Sequence, residues 1–224
     1  MSFDPVTIND VARSQEQART RDQAKTIFAQ TMFLVAVTLG FSTAGAYIGR
    51  DLSGGVALVC FIAAIVATFA LAFARTRPAL GMTVLFGVGL LLGLGIGPTI
   101  AAYLAVENGA QIVGQAAGAT GLFVAGFGAY GYATRRDLSS WARWLFIALL
   151  GLIGFSIVLL FVSIPGGHVI WAVLGLVVFA AYTMFDFNRL RRANPDDVIW
   201  IACSIFLDVF NVFLFMLSLL GGRD

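Results

Sequence analysis

Two aspartates lie in stretches of this sequence that are otherwise apolar. Asp186 lies near the end of the run that begins at Val169, and Asp208 follows 22 residues later within IFLDVFNVFLF. A charged aspartate at the centre of a membrane helix costs about 2.5–3.5 kcal/mol on insertion scales, so keeping two of them indicates a function. Asp186 has an alternative interpretation, in which it reaches the membrane interface and pairs with Arg189 one turn further on. Asp208 lies near mid-membrane, with Asn211 as the polar residue on its helix face.

The chemistry that two such carboxyl groups can do depends on whether they meet. The stretches that carry them are consecutive and joined by a short turn at Asn194-Pro195, so their helices are expected to be neighbours. Counted from that turn Asp208 lies a few residues deeper than Asp186, which leaves open whether the side chains touch. Two carboxyl groups in a dry site cannot both ionise cheaply, so a touching pair shares a proton and titrates as a unit. Such a pair would act as a pH sensor.

Three further polar residues are candidates for supporting roles. Arg75 ends the second apolar stretch, and its guanidinium group could extend to Asp186; the alternative is that Arg75 only extends to the lipid headgroups. Asn211 and Asn188 are possible polar neighbours of the aspartates. When ionised, Asp186 and Asp208 could also form a transient contact for a passing metal cation.

The composition places these residues in a membrane protein. Hydrophobic residues make up 59% of the 224 residues and charged residues 12%, and the mean hydropathy is +0.91. In a soluble domain about a quarter of the residues are charged. This chain has about half that share, so its helices are expected to be surrounded by lipid. The net charge of +2 does not suggest a nucleic-acid partner. Cys60 and Cys203 lie within apolar runs and are interpreted as buried thiols, and no metal-binding motif accompanies them.

The chain divides into a polar tail, residues 1–25, and a membrane domain, residues 26–224. Each apolar stretch of the domain is close to the ~20 residues that cross the hydrocarbon. The sequence therefore predicts an all-α, polytopic membrane protein with a bundle of seven transmembrane helices. The predicted spans are Ile27–Ile48, Val56–Ala74, Leu80–Ile100, Ile112–Ala133, Trp144–Ser163, Val169–Phe187 and Val198–Leu220.

Charge asymmetry predicts the orientation of the bundle. Of the 14 lysine and arginine residues, all except Arg50 and Arg223 fall in the N-terminal tail or in the turns after the second, fourth and sixth stretches. By the positive-inside rule the N-terminus is cytoplasmic and the C-terminus faces outward. Short loops and the Ala/Gly-rich composition favour a bacterial inner membrane.

Small residues predict how the helices pack. Gly89, Gly93 and Gly97 recur every four residues on the third stretch, and Gly114 and Gly118 do so on the fourth. Such stripes let helix backbones approach closely in a membrane, so both are expected to be packing seams. Pro98, directly after Gly97, predicts a break in the third helix.

Four segments together resemble the Bax inhibitor-1 family, also called the transmembrane Bax inhibitor motif family. They are GLLLGLGIGPTI, GQAAGATGLFVAGF, YTMFDFNRLRR and LDVFNVFLFMLSLLG, in this order along nearly the whole chain. The resemblance implies seven membrane helices. It implies that Asp186 and Asp208 match the family's aspartate pair, which gates a pH-sensitive calcium leak. It further implies that Arg75 matches the arginine that pairs with the sixth-helix aspartate in the closed state.

Membrane enzymes and retinal proteins fit the sequence poorly. Intramembrane aspartyl proteases need a Gly-x-Gly-Asp motif, whereas Ile-Phe-Leu precedes Asp208. Intramembrane serine proteases need a histidine within the membrane, whereas His168 lies in the turn IPGGH. A retinal protein needs a lysine in its last helix, and the single lysine is Lys25. We therefore expect no catalysis, nucleotide or prosthetic group.

The expected function is a passive leak of calcium or another cation, under the control of the aspartate pair. Its expected partners are membrane lipid and the conducted cation. A non-conducting regulator that docks on a membrane protease complex through its N-terminal tail is the alternative. Deleting residues 2–25 separates the two, because a leak should survive the deletion and docking should not.

Overall fold

The part of the chain that the structure describes consists of helices joined by short loops. The structure is a computed structural model that describes residues 8–74 and 77–222, with side-chain surroundings from residue 22 onward except at residue 72. Three short 3-10 segments, Gly49–Asp51, Leu71–Ala74 and Pro195–Asp197, lie next to helix ends. The α-helices of the described residues are α1 (Ile8–Ile48), α2 (Gly54–Ala70), α3 (Pro78–Leu104), α4 (Gly109–Ala133), α5 (Trp141–Phe161), α6 (Gly167–Leu190) and α7 (Val198–Gly221).

Six helical segments in these residues are long and apolar enough to cross a membrane. The remaining one, α2, has 17 residues and is therefore roughly 25 Å long, a little short of the hydrocarbon thickness of about 30 Å. The predicted second span, Val56–Ala74, thus takes the form of this shorter helix followed by the 3-10 segment Leu71–Ala74. The prediction of an all-α, polytopic membrane protein is confirmed, and six of the seven predicted spans correspond to helices of spanning length in the described residues, with α2 as the shorter one.

The first helix continues through the predicted boundary between tail and membrane domain. α1 is one unbroken helix of 41 residues, which makes it roughly 60 Å long, about twice the hydrocarbon thickness. Residues 8–25 therefore extend the first membrane helix as a polar helical projection. The division of the chain at residue 25 stays a prediction about composition and exposure.

The last helix occupies the centre of the bundle. α7 packs against α1, α3, α4 and α6, whereas α2 lies mainly on α3 and α5 mainly on α6. Ile201, Ile205, Phe206 and Val212 of α7 are fully or almost fully buried. Because α7 is surrounded on several sides, a polar group on it has little access to lipid or water.

The glycine stripe of α3 is a packing seam, as predicted. A Cβ atom on Gly93 would overlap the backbone of Ser42 in α1, and one on Gly97 would overlap the backbone of Gly49. The α1 and α3 backbones are therefore in direct contact. The predicted break at Pro98 is wrong: α3 is helical from Pro78 to Leu104. Proline removes a single N–H from the helical ladder, and the close packing against α1 supports the helix around it.

The prediction of a second seam at Gly114 and Gly118 is wrong. A Cβ atom at either position would meet open space. The close approach on α4 lies further along the helix, at Gly131, where a Cβ atom would overlap the backbone of Met184 in α6. Spacing alone shows that a face of small residues exists, and the position of the neighbouring helix decides which part of that face is buried.

Candidate functional site

The structure brings Asp186 and Asp208 together. Asp186 lies on α6 with 4% of its surface exposed, and Asp208 lies on α7 with 3% exposed. Their carboxyl groups lie close enough to interact with each other. Carboxylates only accept hydrogen bonds, so the two groups can share a hydrogen bond only when one of them is protonated and donates. The difference in depth expected from the sequence therefore does not keep the two residues apart, and their side chains lie next to each other inside the bundle.

The surroundings of the pair are mostly apolar and include few polar groups. The Tyr182 ring, one turn before Asp186, is half-buried and close enough to interact electrostatically with both aspartates. Cys203 of α7 is buried and lies near Asp186. Within the described residues, Oδ2 of Asp208 is buried and has no hydrogen-bond partner. An unpaired buried oxygen of this kind is unfavourable and is available to a proton or a cation.

The nearest described cation on the same helix does not form a close ion pair with the site. Arg189 interacts electrostatically with Asp186. Among the side chains that the structure describes, which begin at residue 22, the close ion pairs are Lys25–Asp22, Arg50–Asp51 and Arg192–Asp137. Asp186 is thus buried and interacts with both Arg189 and Asp208 without a close ion pair to Arg189. Arg75 lies outside the described residues, and its role stays a prediction.

The hydrogen bonds described for the two asparagines are made with groups other than the aspartates. Asn211 donates from Nδ2 to the carbonyl oxygen of Leu207, one turn earlier in α7, at 2.7 Å. Asn188 is fully buried, and its Nδ2 lies within 3.1–3.3 Å of the carbonyl oxygens of Gly131, Thr134 and Arg136. Asn188 is thus a polar anchor for the end of α4.

The anchor extends to the loop between α4 and α5. Oδ1 of Asn188 accepts from the backbone N–H of Leu138 at 3.2 Å and from the guanidinium of Arg192. Arg192 in turn pairs with Asp137 at 2.7 Å. This network begins two residues after Asp186 on α6 and was not predicted from the sequence. The one available signal was Asp137-Leu138-Ser139, because an aspartate two residues before a serine is typical of an Asx turn.

Comparison with known proteins identifies the family. The family model described as "Inhibitor of apoptosis-promoting Bax1" matches residues 24–224. The chain belongs to the Bax inhibitor-1 family. The aspartates, the seam on α3 and the Asn188 anchor all lie within the matched range.

Two bacterial relatives of this Bax inhibitor-1 family member are described as membrane proteins. An "Uncharacterized membrane protein" of Vibrio cholerae is 30% identical over 211 residues, which cover 93% of this chain and 94% of the relative. "Inner membrane protein YbhL" of Escherichia coli is 31% identical over 140 residues, 57% of this chain and 58% of the relative. A Helicobacter pylori "Uncharacterized protein" is 32% identical over 163 residues, 73% and 70% of the two chains. A location in a bacterial membrane fits these relatives, and the orientation of the termini stays a prediction.

The aspartate pair of this family member suits transient contact with a cation better than permanent binding. Calcium in a stable protein site takes about 6–8 oxygen ligands. The described residues contain no cluster of three or more histidine, cysteine, aspartate or glutamate side chains that could hold a metal ion. Asp186 and Asp208 supply at most four carboxylate oxygens, so a bound ion would keep part of its hydration and leave readily.

A pH-dependent contribution to stability is expected at Asp137, outside the membrane-spanning segments. The pKa of its carboxyl is held below the ordinary value, first by hydrogen bonds from Ser139 and then by the Arg192 guanidinium. A lowered folded-state pKa stabilises the fold above the unfolded pKa, and this contribution is lost as the pH falls through the folded pKa. We expect the difference in thermal midpoint between wild type and Asp137→Ala to be constant from about pH 7 to about pH 5 and to shrink on further acidification.

Thermal unfolding in detergent at several pH values measures this difference. Asp51→Ala, which removes an exposed carboxylate near the opposite end of the bundle, controls for the loss of a surface charge. A difference for Asp137→Ala that persists unchanged to the lowest pH would contradict the assignment of this stabilisation to the ionised carboxylate.

Proposed function

We propose that this protein is a pH-sensitive cation leak, with calcium as the conducted ion, gated by Asp186 and Asp208. The observation that supports the proposal is the meeting of two carboxyl groups, each at most 4% exposed, between the central helix α7 and its neighbour α6. Membership of the Bax inhibitor-1 family is consistent with it.

The physical basis of the gate is the proton that the two carboxyl groups share. With one proton present, a hydrogen bond links α6 to α7 and the site carries one negative charge. Without it, two carboxylates about 4 Å apart repel each other by about 4 kcal/mol at an effective dielectric constant of 20. The helices then separate at this point, or a cation enters between the carboxylates. Either response changes the packing of α6 against α7, where the proposal places the passage of cations.

Calcium flux into proteoliposomes, measured at pH 6 and pH 8, tests the proposal. We expect the wild-type rate to differ between the two values and the rate of Asp208→Asn to be the same at both. Asp186→Asn should behave like Asp208→Asn, since a shared proton belongs to the pair. Asp51→Asn, an exposed aspartate outside the site, is the matched control and should keep the wild-type profile. Identical pH profiles for wild type and Asp208→Asn would exclude gating by the pair.

The length of α1 favours a second candidate function. Residues 8–25 continue the first membrane helix as a polar projection, a form suited to contact another protein. In this alternative the protein is a non-conducting regulator that binds a membrane protease complex. Deletion of residues 2–21 leaves the membrane part of α1 intact and distinguishes the two. A leak that survives the deletion favours the channel. The regulator is favoured if wild-type vesicles show no flux and the deletion variant no longer associates with the protease complex.

A further inference from the structure

A long groove separates α1 from α4 on the outside of the bundle. It consists of two cavities, of about 530 Å³ and about 800 Å³. Both are lined by Leu39 of α1, Thr120 and Gly121 of α4, and Val209 of α7. The two cavities are therefore adjoining halves of one groove, with α1 and α4 as its walls and α7 as its floor. Asp208 is not part of the lining.

The groove is long enough to span the hydrocarbon of a membrane and is largely apolar. Its lining on α1 extends from Lys25 to Ala46, a distance of roughly 30 Å along a helix, which equals the hydrocarbon thickness. On the opposite wall Ala117, Gly121 and Ala125 present small side chains, so the groove is deep there. An apolar space of this size inside a bilayer is stabilised when hydrocarbon fills it, because its lining then regains dispersion contacts.

One end of the groove carries positive charge. Lys25 lines this end, and its side chain is 80% exposed and pairs at 3.5 Å with Asp22, which is 77% exposed. An exposed pair of this kind contributes little and exchanges readily. Arg135 and Arg136 follow the end of α4 at the same face and are exposed. A basic residue near a membrane surface attracts anionic lipid by about 1 kcal/mol.

The width of the groove distinguishes between possible occupants. Near the charged end the rings of Phe28 in α1 and Tyr132 in α4 are in edge contact, with 5.1 Å between their centroids. Two touching rings leave no room for a helix 10–12 Å in diameter, so neither a second copy nor a partner helix can occupy the full length. A flexible acyl chain can pass beside them, with its headgroup outside the rings.

We propose that this groove binds an anionic phospholipid, with an acyl chain along Gly121 and the headgroup at Lys25. The site is separate from the aspartate pair and does not depend on the proposed leak. Its occupant would fix the spacing of α1 and α4, the two helices on either side of the partly exposed face of α7 at Val209.

Native mass spectrometry of the full-length protein tests the proposal. The delipidated protein is titrated with equal amounts of phosphatidylglycerol and phosphatidylcholine, and the retained molecules of each are counted. We expect wild type to retain phosphatidylglycerol several-fold more than phosphatidylcholine. Gly121→Trp places a large ring where a Cβ atom meets nothing within 4 Å and should reduce phosphatidylglycerol retention by about tenfold. Lys25→Gln should reduce it to the level of phosphatidylcholine.

The matched control is Gly151→Trp, on the exposed face of α5, where a Cβ atom also meets nothing within 4 Å. It should retain lipid like wild type, and thermal unfolding should show that both tryptophan variants are folded. Equal retention by Gly121→Trp and Gly151→Trp would overturn the proposal, as would equal retention of both lipids by wild type. A change of oligomeric state in Gly121→Trp without loss of lipid would assign the groove to a protein partner and would also overturn it.

Discussion

Replacing Asn188 with leucine is expected to lower the free energy of unfolding by about 3–5 kcal/mol, although the two side chains are similar in size. The amide of Asn188 is fully buried, and its two N–H groups are shared among three backbone carbonyl oxygens at and beyond the end of α4. The last carbonyl groups of a helix have no partner within the helix. Leucine would remove these hydrogen bonds from the buried carbonyl of Gly131 and the N–H of Leu138, and from the partly buried carbonyls of Thr134 and Arg136.

Asn211→Leu is the matched control for this change. Asn211 is partly buried, and its Nδ2 donates to the carbonyl of Leu207, which belongs to the same helix. Losing that bond costs about 1 kcal/mol or less, and the apolar replacement suits the lipid. Thermal or denaturant-induced unfolding in mixed micelles measures both variants. If Asn188→Leu were no less stable than Asn211→Leu, Asn188 would not anchor the end of α4.

The second large effect is expected at Gly93, where α3 crosses α1. Gly93→Ala adds a single methyl group, but this group would overlap the carbonyl carbon, carbonyl oxygen and Cα of Ser42. Backbone cannot rotate away as a side chain can, so the helices must move apart along their seam. We expect a loss of about 3 kcal/mol of stability, at the upper end of the usual effect of overpacking.

The control for Gly93→Ala lies six residues earlier on the same helix. A Cβ atom on Gly87 meets nothing within 4 Å, so Gly87→Ala should raise stability by about 0.5–1 kcal/mol through the higher helix propensity of alanine. Opposite signs for the same substitution on one helix would confirm the seam. Similar small effects at both positions, measured by thermal unfolding in detergent, would show that α1 and α3 are further apart than described.

Much of the architecture could be predicted from the order of apolar and polar residues. Helix bounds follow from stretches such as Val198–Leu220, which corresponds closely to α7, because a spanning helix must satisfy its backbone within one apolar segment. The two aspartates could be selected for the same reason, since a carboxyl group in such a segment is unfavourable unless it is used. These conclusions depend on local composition alone.

Other features depend on which helix lies beside which. The spacing of Gly114 and Gly118 resembles that of Gly89 and Gly93, but only the second pair faces a neighbouring helix. Asn188 was expected near the aspartates, yet its hydrogen bonds join α6 to the end of α4. A small or polar side chain has the same intrinsic properties wherever it lies. Its role is set by the partner that the tertiary packing brings to it.

In the candidate site, too, the residue types follow from the sequence and the contacts follow from the tertiary structure. Residue types and membrane depth determine, from the sequence, that Asp186 and Asp208 are the residues to examine. Whether the carboxyl groups meet depends on the tilt and rotation of α6 against α7, and a shift of a few ångströms between helices would separate them. Hydrogen bonds act only over about 3 Å, and sequence spacing across a turn does not define positions that closely. Only the tertiary structure could place the two acids in contact.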